Sequence, residues 1–224
     1  MAITLDATST GATPTTGLTT TVSHVCAAGA VLYVLVAIRH GADLMTGVTY
    51  NGSALTQVAY IGGSVHNYIY RITAPSTGTH DIVVTYSSAV DRAKHVSGIS
   101  LLGVDTTTPE DVTGTLQPTS SPSTINLTTT TDDTVLLDSF VANETNTMTE
   151  GSGQTVISKG SVAGATYSNT HGQSYKLTTG AAGSYAMSWS WTGTGQYSHC
   201  AVAVNAAPVS ANNEVASIAG ISNV

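Results

Sequence analysis

The sequence predicts an all-β protein, an antiparallel β-sandwich of jelly-roll-like type with about eight to ten strands. Three observations lead to this prediction. Apolar and polar residues alternate over short stretches, glycine-containing turns separate these stretches, and a stretch of the first half recurs in the second. Only 8% of the residues are charged while 41% are hydrophobic, which is typical of a folded sheet protein and not of a disordered chain.

The clearest element is a predicted β-hairpin at residues 67–86. Tyr68 and Tyr70 occupy alternate positions of the first predicted strand, and Pro75–Gly78 follows as a turn. Strict alternation places one set of side chains on each face of a sheet. The same pattern recurs 105 residues later, at 173–191, without a gap.

Further strands are predicted on either side of this hairpin. Residues 31–38 are apolar without alternation, which predicts a strand covered on both faces, either within the chain or by a neighbouring subunit. A helix is the rival prediction, but a short Val- and Ile-rich run between Gly29 and Gly41 favours a strand. Asn51-Gly52 is a strong hairpin signal. In chain order, the predicted strands of this half lie within residues 3–7, 19–26, 31–38, 48–58, 67–86 and 95–104.

The second half follows the same order, which indicates an internal duplication of about 104 residues with pseudo-repeats 18–105 and 123–207. Two arrangements are consistent with it: two small sandwiches in series, or one sandwich in which the halves interlock. We favour a single domain over residues 1–207, because about five strands per half close two sheets poorly. The corresponding strands lie within residues 123–131, 135–141, 150–155, 173–191 and 197–204.

Residues 208–224 differ in character and are predicted to form a C-terminal arm. Their apolar residues are weakly spaced and lack turn signals. Such an arm is either disordered in isolation or ordered against a partner subunit. The candidate assembly contacts in it are Val215, Ile218, Ile221 and Val224.

Charge and the length of the apolar runs disfavour two classes of partner, nucleic acid and membrane. The formal net charge is −7 and the six basic residues are scattered, whereas nucleic-acid binding needs clustered Lys and Arg. No apolar run reaches the roughly 20 residues of a membrane span. The N-terminal residues do not resemble a signal peptide. Either the protein is made and assembled in the cytoplasm or a leader has been trimmed, and the initiator Met favours the first.

Cys26 and Cys200 are predicted to be buried free thiols, with a single bridge as the alternative.

The residue types that carry catalysis are present without the spacing that catalysis needs. The seven His residues are dispersed, and Glu110-Asp111 and Asp132-Asp133 are adjacent carboxylates that point apart on a strand or turn. The sequence contains no nucleophile elbow, phosphate loop or Cys-x-x-Cys motif. We therefore expect no catalytic residue, no cofactor and no metal site.

Aromatic residues are the better candidates for a binding function. Trp189 and Trp191 have the spacing of a sugar-stacking platform, but their repeat partners Val84 and Tyr86 are core-facing, which favours core packing. Four tyrosines are predicted near loops and are candidate contacts for a partner or a glycan. They are Tyr50, Tyr60, Tyr167 and Tyr197.

Three segments together resemble a widespread type of β-sandwich: residues 48–58, 74–78 and 98–105. It is found in bacteriophage virion proteins (head decoration, fibre and tail components) and in large bacterial surface proteins. The resemblance covers residues 1–207 and carries over no catalytic residue.

The resemblance implies a non-enzymatic virion structural protein that is made in the host cytoplasm. Its partners would be capsid, tail or fibre subunits, and it would assemble in many copies, as a homo-oligomer. The alternative is a carbohydrate-binding or adhesive module at a cell surface or outside the cell, with a host surface glycan as ligand.

Overall fold

A computed structural model describes residues 2–13, 17–89, 93–144, 147–163, 168–178 and 180–208. It confirms the all-β class: the described residues form strands, turns and bends, and every strand pairing is antiparallel. Within this part of the chain, no helix could span a membrane.

The strands of the first half are β1 (Thr4–Thr13), β2 (Thr19–Cys26), β3 (Val31–Arg39), β4 (Met45–Tyr50), β5 (Ser53–Ala54), β6 (Thr56–Ile61), β7 (Val65–Ile72), β8 (Gly78–Tyr86) and β9 (Lys94–Leu102). Those of the second half are β10 (Glu110–Leu116), β11 (Ser123–Thr128), β12 (Val135–Ala142), β13 (Met148–Glu150), β14 (Thr155–Val162), β15 (Asn169–Leu177), β16 (Ser184–Trp191) and β17 (Tyr197–Val204).

The described residues form seventeen strands, more than the predicted eight to ten. The hairpin predicted at residues 48–58 shows why. Asn51 and Gly52 form its turn at positive φ and β5 pairs with β4, but the chain then crosses at Leu55 and β6 joins a different sheet. One predicted hairpin therefore supplies three strands to two sheets.

The strands form four sheets, two from each half. Sheet I has the order β1-β9-β3-β7-β6 and sheet II the order β2-β8-β4-β5; sheet III has the order β10-β17-β12-β15-β14 and sheet IV the order β11-β16-β13. The second half thus repeats the strand order of the first, except that β5 has no counterpart among the described residues. Sheets I and II enclose one apolar core, and sheets III and IV enclose another.

The halves do not interlock as the favoured arrangement required. Each half closes its own two-layer sandwich, because its last strand (β9 or β17) lies between the first and third strands of the same half. The first and second sandwiches then pack back to back through sheets I and III, across a third buried layer that we call the central layer. The predicted arm, with Val215, Ile218, Ile221 and Val224, lies outside the described residues.

β3 is covered on both faces, as its unbroken apolar sequence predicted. Leu32, Val34 and Val36 face sheet II, whereas Tyr33 and Leu35 face the central layer. The cover on the second face is the chain's own second half, so this strand is not available to a neighbouring subunit. Both cysteines are free and buried, in agreement with the prediction.

Candidate functional site

A cleft of about 660 Å³ opens between the two sandwiches at one end of the molecule. Four loops meet there: the loop between β3 and β4, the turn between β6 and β7, the linker between β10 and β11, and the turn between β16 and β17. Among the described residues, its lining carries amide and hydroxyl groups and contains no Asp, Glu, His, Lys or Arg. The lining residues are Gly41, Gly63, Ser64, Val65, Gln117, Pro118, Thr119, Gly195, Gln196, Tyr197 and Ser198.

Glycines allow these loops to approach one another closely. A Cβ at Gly63 would lie 2.8 Å from Gln117 Nε2, and one at Gly195 would lie 2.6 Å from Asn143 Oδ1. Gln117 Nε2 also donates a hydrogen bond to the carbonyl oxygen of Gly62, which fixes the linker against the turn. The cleft is therefore a built feature of the junction, with the neutral polar chemistry that suits an uncharged polar ligand.

The predicted tyrosine contacts do not gather in this cleft. Tyr50 is fully buried in the first core, and its hydroxyl lies 2.9 Å from the Gly78 carbonyl oxygen. Tyr197 borders the cleft but is only 5% exposed, because its ring packs on Phe140 and Trp191.

Tyr60 is the one described member of the set that is not buried. It is half-buried, stacked on Tyr68 with 4.8 Å between ring centroids. Tyr167 lies outside the described residues. Trp189 and Trp191 are core residues, as their repeat partners predicted.

The structure brings together a Ser, His and Asp cluster that the sequence reasoning missed. His199 Nδ1 lies 2.9 Å from Ser123 Oγ, and His199 Nε2 lies 3.1 Å from Asp138 Oδ2. Trp189 Nε1 and Ser174 Oγ donate to the same carboxylate at 2.9 and 2.5 Å. These groups lie in the core of the second sandwich.

Burial gives this cluster a structural role. Ser123 is 1% exposed, and Asp138 and His199 have no exposed surface, so an acyl substrate does not reach the serine. Both imidazole nitrogens are already engaged within the cluster. A signal for it was present in the sequence: Asp138 interrupts the apolar run of β12, where the aligned position of β3 is Val34.

A second histidine cluster lies in the central layer. The rings of His95 (β9) and His171 (β15) stack with 3.6 Å between centroids and 10° between planes. Desolvation by burial, and secondly the charge of His171, lowers the pKa of His95 to about 2; burial lowers that of His171 to about 4. Both rings are therefore neutral at physiological pH.

A smaller cleft of about 400 Å³ lies near Pro208 and contains three carboxylates. Asp105 accepts from the Thr107 amide, Asp133 from the Gly180 amide, and Asp132 from the Ala182 amide. These carboxylates thus cap turns. Within the described ranges, no group of three or more His, Cys, Asp or Glu residues could hold a metal ion.

Comparison with known protein families, curated proteins and solved structures finds no match to this chain.

Proposed function

We propose that the protein is a non-enzymatic virion structural subunit (capsid decoration, fibre or tail component) that assembles in many copies through protein–protein contacts. The observation that carries the proposal is the nature of the two outer sheet faces, which lie on opposite sides of the four-sheet body.

The outer face of sheet II is covered by short hydroxyl and aliphatic side chains. Alternation along β2 and β8 sends every second residue outward, and cross-strand neighbours form rows such as Thr19 with Thr85 and Thr21 with Val83. Among the outward-facing residues of β2, β4 and β8, only Asp81 has an ionisable side chain. The others are Thr19, Thr21, Ser23, Val25, Thr49, Thr79, Val83 and Thr85.

The outer face of sheet IV has the same character. Thr124, Asn126 and Thr128 point outward from β11, opposite the small outward residues of β16, which are Ser184, Ala186, Ser188 and Ser190. None of these side chains is ionisable. Apart from Asp81, the outward-facing residues named on these two faces are thus small or aliphatic and uncharged.

Such faces favour association for two physical reasons. Small side chains lose little rotamer entropy when a partner covers them, in contrast to about 0.5–1.5 kcal/mol for each immobilised long side chain. When a partner covers these faces, almost no charged group is removed from water. The resemblance to virion β-sandwiches supports a partner that is another virion subunit or another copy of this chain.

The test is the association of the full chain with itself and with capsid, tail and fibre proteins encoded beside its gene, by sedimentation and co-purification. Thr21→Lys on sheet II and Ala186→Lys on sheet IV place a charge on each face, and we expect at least one of them to weaken association about tenfold or more. Thr77→Lys, in an exposed turn, is the matched control. A chain that stays monomeric and binds none of these proteins contradicts the proposal.

The cleft favours a second candidate function, recognition of a neutral glycan. Its amide and hydroxyl groups are donors and acceptors that suit sugar hydroxyls, and it lies at the junction of two sandwiches, where ligand sites are common. A glycan array separates the two functions. We expect Gln196→Ala to abolish glycan binding and Asn126→Ala, an amide loss outside the cleft, to preserve it; an array without binding removes this candidate.

A further inference from the structure

The central layer changes composition along its length. Toward one end it is apolar, with Val31, Leu101, Val135 and Val204 in contact across sheets I and III. Toward the cleft it is polar, and the facing positions are His95 and Asn67 on sheet I and His171 and Ser198 on sheet III.

The apolar end is also where the backbone joins the sandwiches. Val104 forms an antiparallel bridge with Ala206. The Asp105 amide donates to the Asn205 carbonyl at 2.9 Å, and the Ala207 amide donates to the Gly103 carbonyl at 2.7 Å. The junction is therefore tied at this end.

The polar end is held by side chains. Asn67 Nδ2 donates to the Ser198 carbonyl at 3.2 Å, and Ser198 Oγ donates to the Val65 carbonyl at 3.1 Å. The stacked pair of His95 and His171, one ring from each sandwich, lies level with these bonds along the strands. His95 and Asn67 both pair with Ala37, and His171 and Ser198 both pair with Val141. No described residue bonds Nδ1 of either ring.

Among the described residues, the hydrogen-bond partners of the two rings are hydroxyl groups, Ser97 for His95 and Ser158 for His171, and no carboxylate bonds either ring. Arg39 ends β3, the strand beside His95, whereas Lys94 of β9 turns away from the pair and lies over the Tyr86 ring in the first core. On the other side, Lys159 of β14 pairs with Glu150, and the carboxylate of Glu144 lies 4.0 Å from Arg39. Among the described residues, each of these histidines stacks on the other, and protonation of both rings brings two positive charges face to face.

We propose that the His95–His171 pair is an acid-sensitive joint: protonation of the stacked rings separates the two sandwiches at the cleft end, while the backbone link at Val104 and Ala206 holds them together at the other end. The opening widens the cleft, because Val65 and Ser198 line it. This inference does not depend on the proposed function.

Each sandwich keeps its own fold in the open form, because each has its own core on the side away from the central layer. The first core lies between sheets I and II, and the second between sheets III and IV. Trp189 and Trp191, the chain's two tryptophans, belong to the second core. Their emission therefore reports unfolding of the second sandwich separately from opening of the joint.

The test combines small-angle X-ray scattering with tryptophan emission on the full chain, in a series of buffers from neutral pH to the acid range of the pair. We expect the radius of gyration to rise by about 2–4 Å above the roughly 17 Å of a compact chain of this length, while tryptophan emission remains native. A constant radius, or loss of native emission at the same pH as the rise, overturns the joint.

A double variant, His95→Phe with His171→Phe, keeps stacked rings and removes both titrating groups. We expect it to stay compact where the wild type opens, and a variant that opens at the wild-type pH also overturns the proposal. His80→Phe, on β8 of sheet II, is the control and should open like the wild type. If the double variant does not fold at neutral pH, the scattering and emission of the wild type still decide the question.

Discussion

His199 and Asp138 pair in the core of the second sandwich, with 3.1 Å between Nε2 and Oδ2 and no exposed surface on either side chain. The aligned positions of the first sandwich are Val96 and Val34. An ionisable pair and two valines thus occupy equivalent places in two sandwiches with the same strand order.

Replacing only one member of the pair should destabilise the protein strongly. In Asp138→Val, the imidazole of His199 and the indole N–H of Trp189 lose their acceptor inside the core. We expect the free energy of unfolding to fall by about 3–5 kcal/mol. Urea unfolding followed by tryptophan emission measures it.

Replacing both members restores the valine pair of the first sandwich. We expect Asp138→Val with His199→Val to cost less than the sum of the two single variants, by about 1 kcal/mol or more, because neither partner is then left alone. Additive losses would show that the two side chains stabilise the core independently.

Gly172 is a position where added volume should be costly. A Cβ there would lie 2.8 Å from Cη2 and Cζ3 of Trp189 and 2.9 Å from Cε of Met148. We expect Gly172→Ala to lower the free energy of unfolding by about 1–3 kcal/mol, because the core has no room for it. Gly47→Ala, where a Cβ meets nothing within 4 Å, should be close to neutral in the same urea titration. Equal effects would contradict the packing of Trp189.

Glu110 links the two sandwiches through side chains. Its carboxylate pairs with Arg71 of β7 and accepts a hydrogen bond from Tyr33 of β3 at 2.9 Å. We expect Glu110→Gln to cost about 1–3 kcal/mol, because it leaves the half-buried guanidinium without its counter-charge. The control is Glu150→Gln, whose pair with Lys159 is more exposed and should contribute less than about 1 kcal/mol. Thermal unfolding of both variants provides the comparison, and a larger loss in the control would refute it.

Stability should fall in acid, because several histidines are buried in the neutral form. Burial lowers the pKa of His24 to about 4, although the charge of Asp6 opposes the shift. Below the unfolded pKa of about 6.5, the unfolded chain binds a proton that the folded chain excludes, so each such histidine removes about 1.4 kcal/mol per pH unit. This loss continues until the pH reaches the folded pKa. Stability is therefore full above about pH 6.5 and declines toward about pH 4.

The decline is measured as the free energy of unfolding in urea over a pH series. His24→Gln should reduce the slope of the free energy of unfolding against pH by the contribution of one histidine, because Gln does not titrate. Stability that stays constant between neutral pH and about pH 4.5 would mean that these side chains are solvated in the folded chain.

The elements that follow from local pattern were predictable. Residues 31–38 are apolar throughout, and that property alone predicts cover on both faces of β3. The inward position of Trp189 followed from its repeat partner Val84. Tyr50 was misplaced although the same pattern was available, since alternation on β4 sends it inward with Val48.

The remaining features depend on contacts between distant parts of the chain. The cluster around Asp138 takes side chains from β11, β15, β16 and β17, and nothing in the spacing of these residues shows that they converge. The crossing at Leu55 is equally hidden, because a hairpin turn does not reveal which sheet the next strand will join. The cleft exists only where the two sandwiches meet.

The strand order also determines when each half can fold during synthesis. β9 fills the place between β1 and β3, so sheet I has no continuous hydrogen-bonded core until residues 94–102 have been made. Such long-range pairing slows folding. Once β9 is in place, however, the first sandwich has all of its strands while β10–β17 are still to be synthesised, and its exposed face of sheet I can then serve as the surface on which the second sandwich assembles.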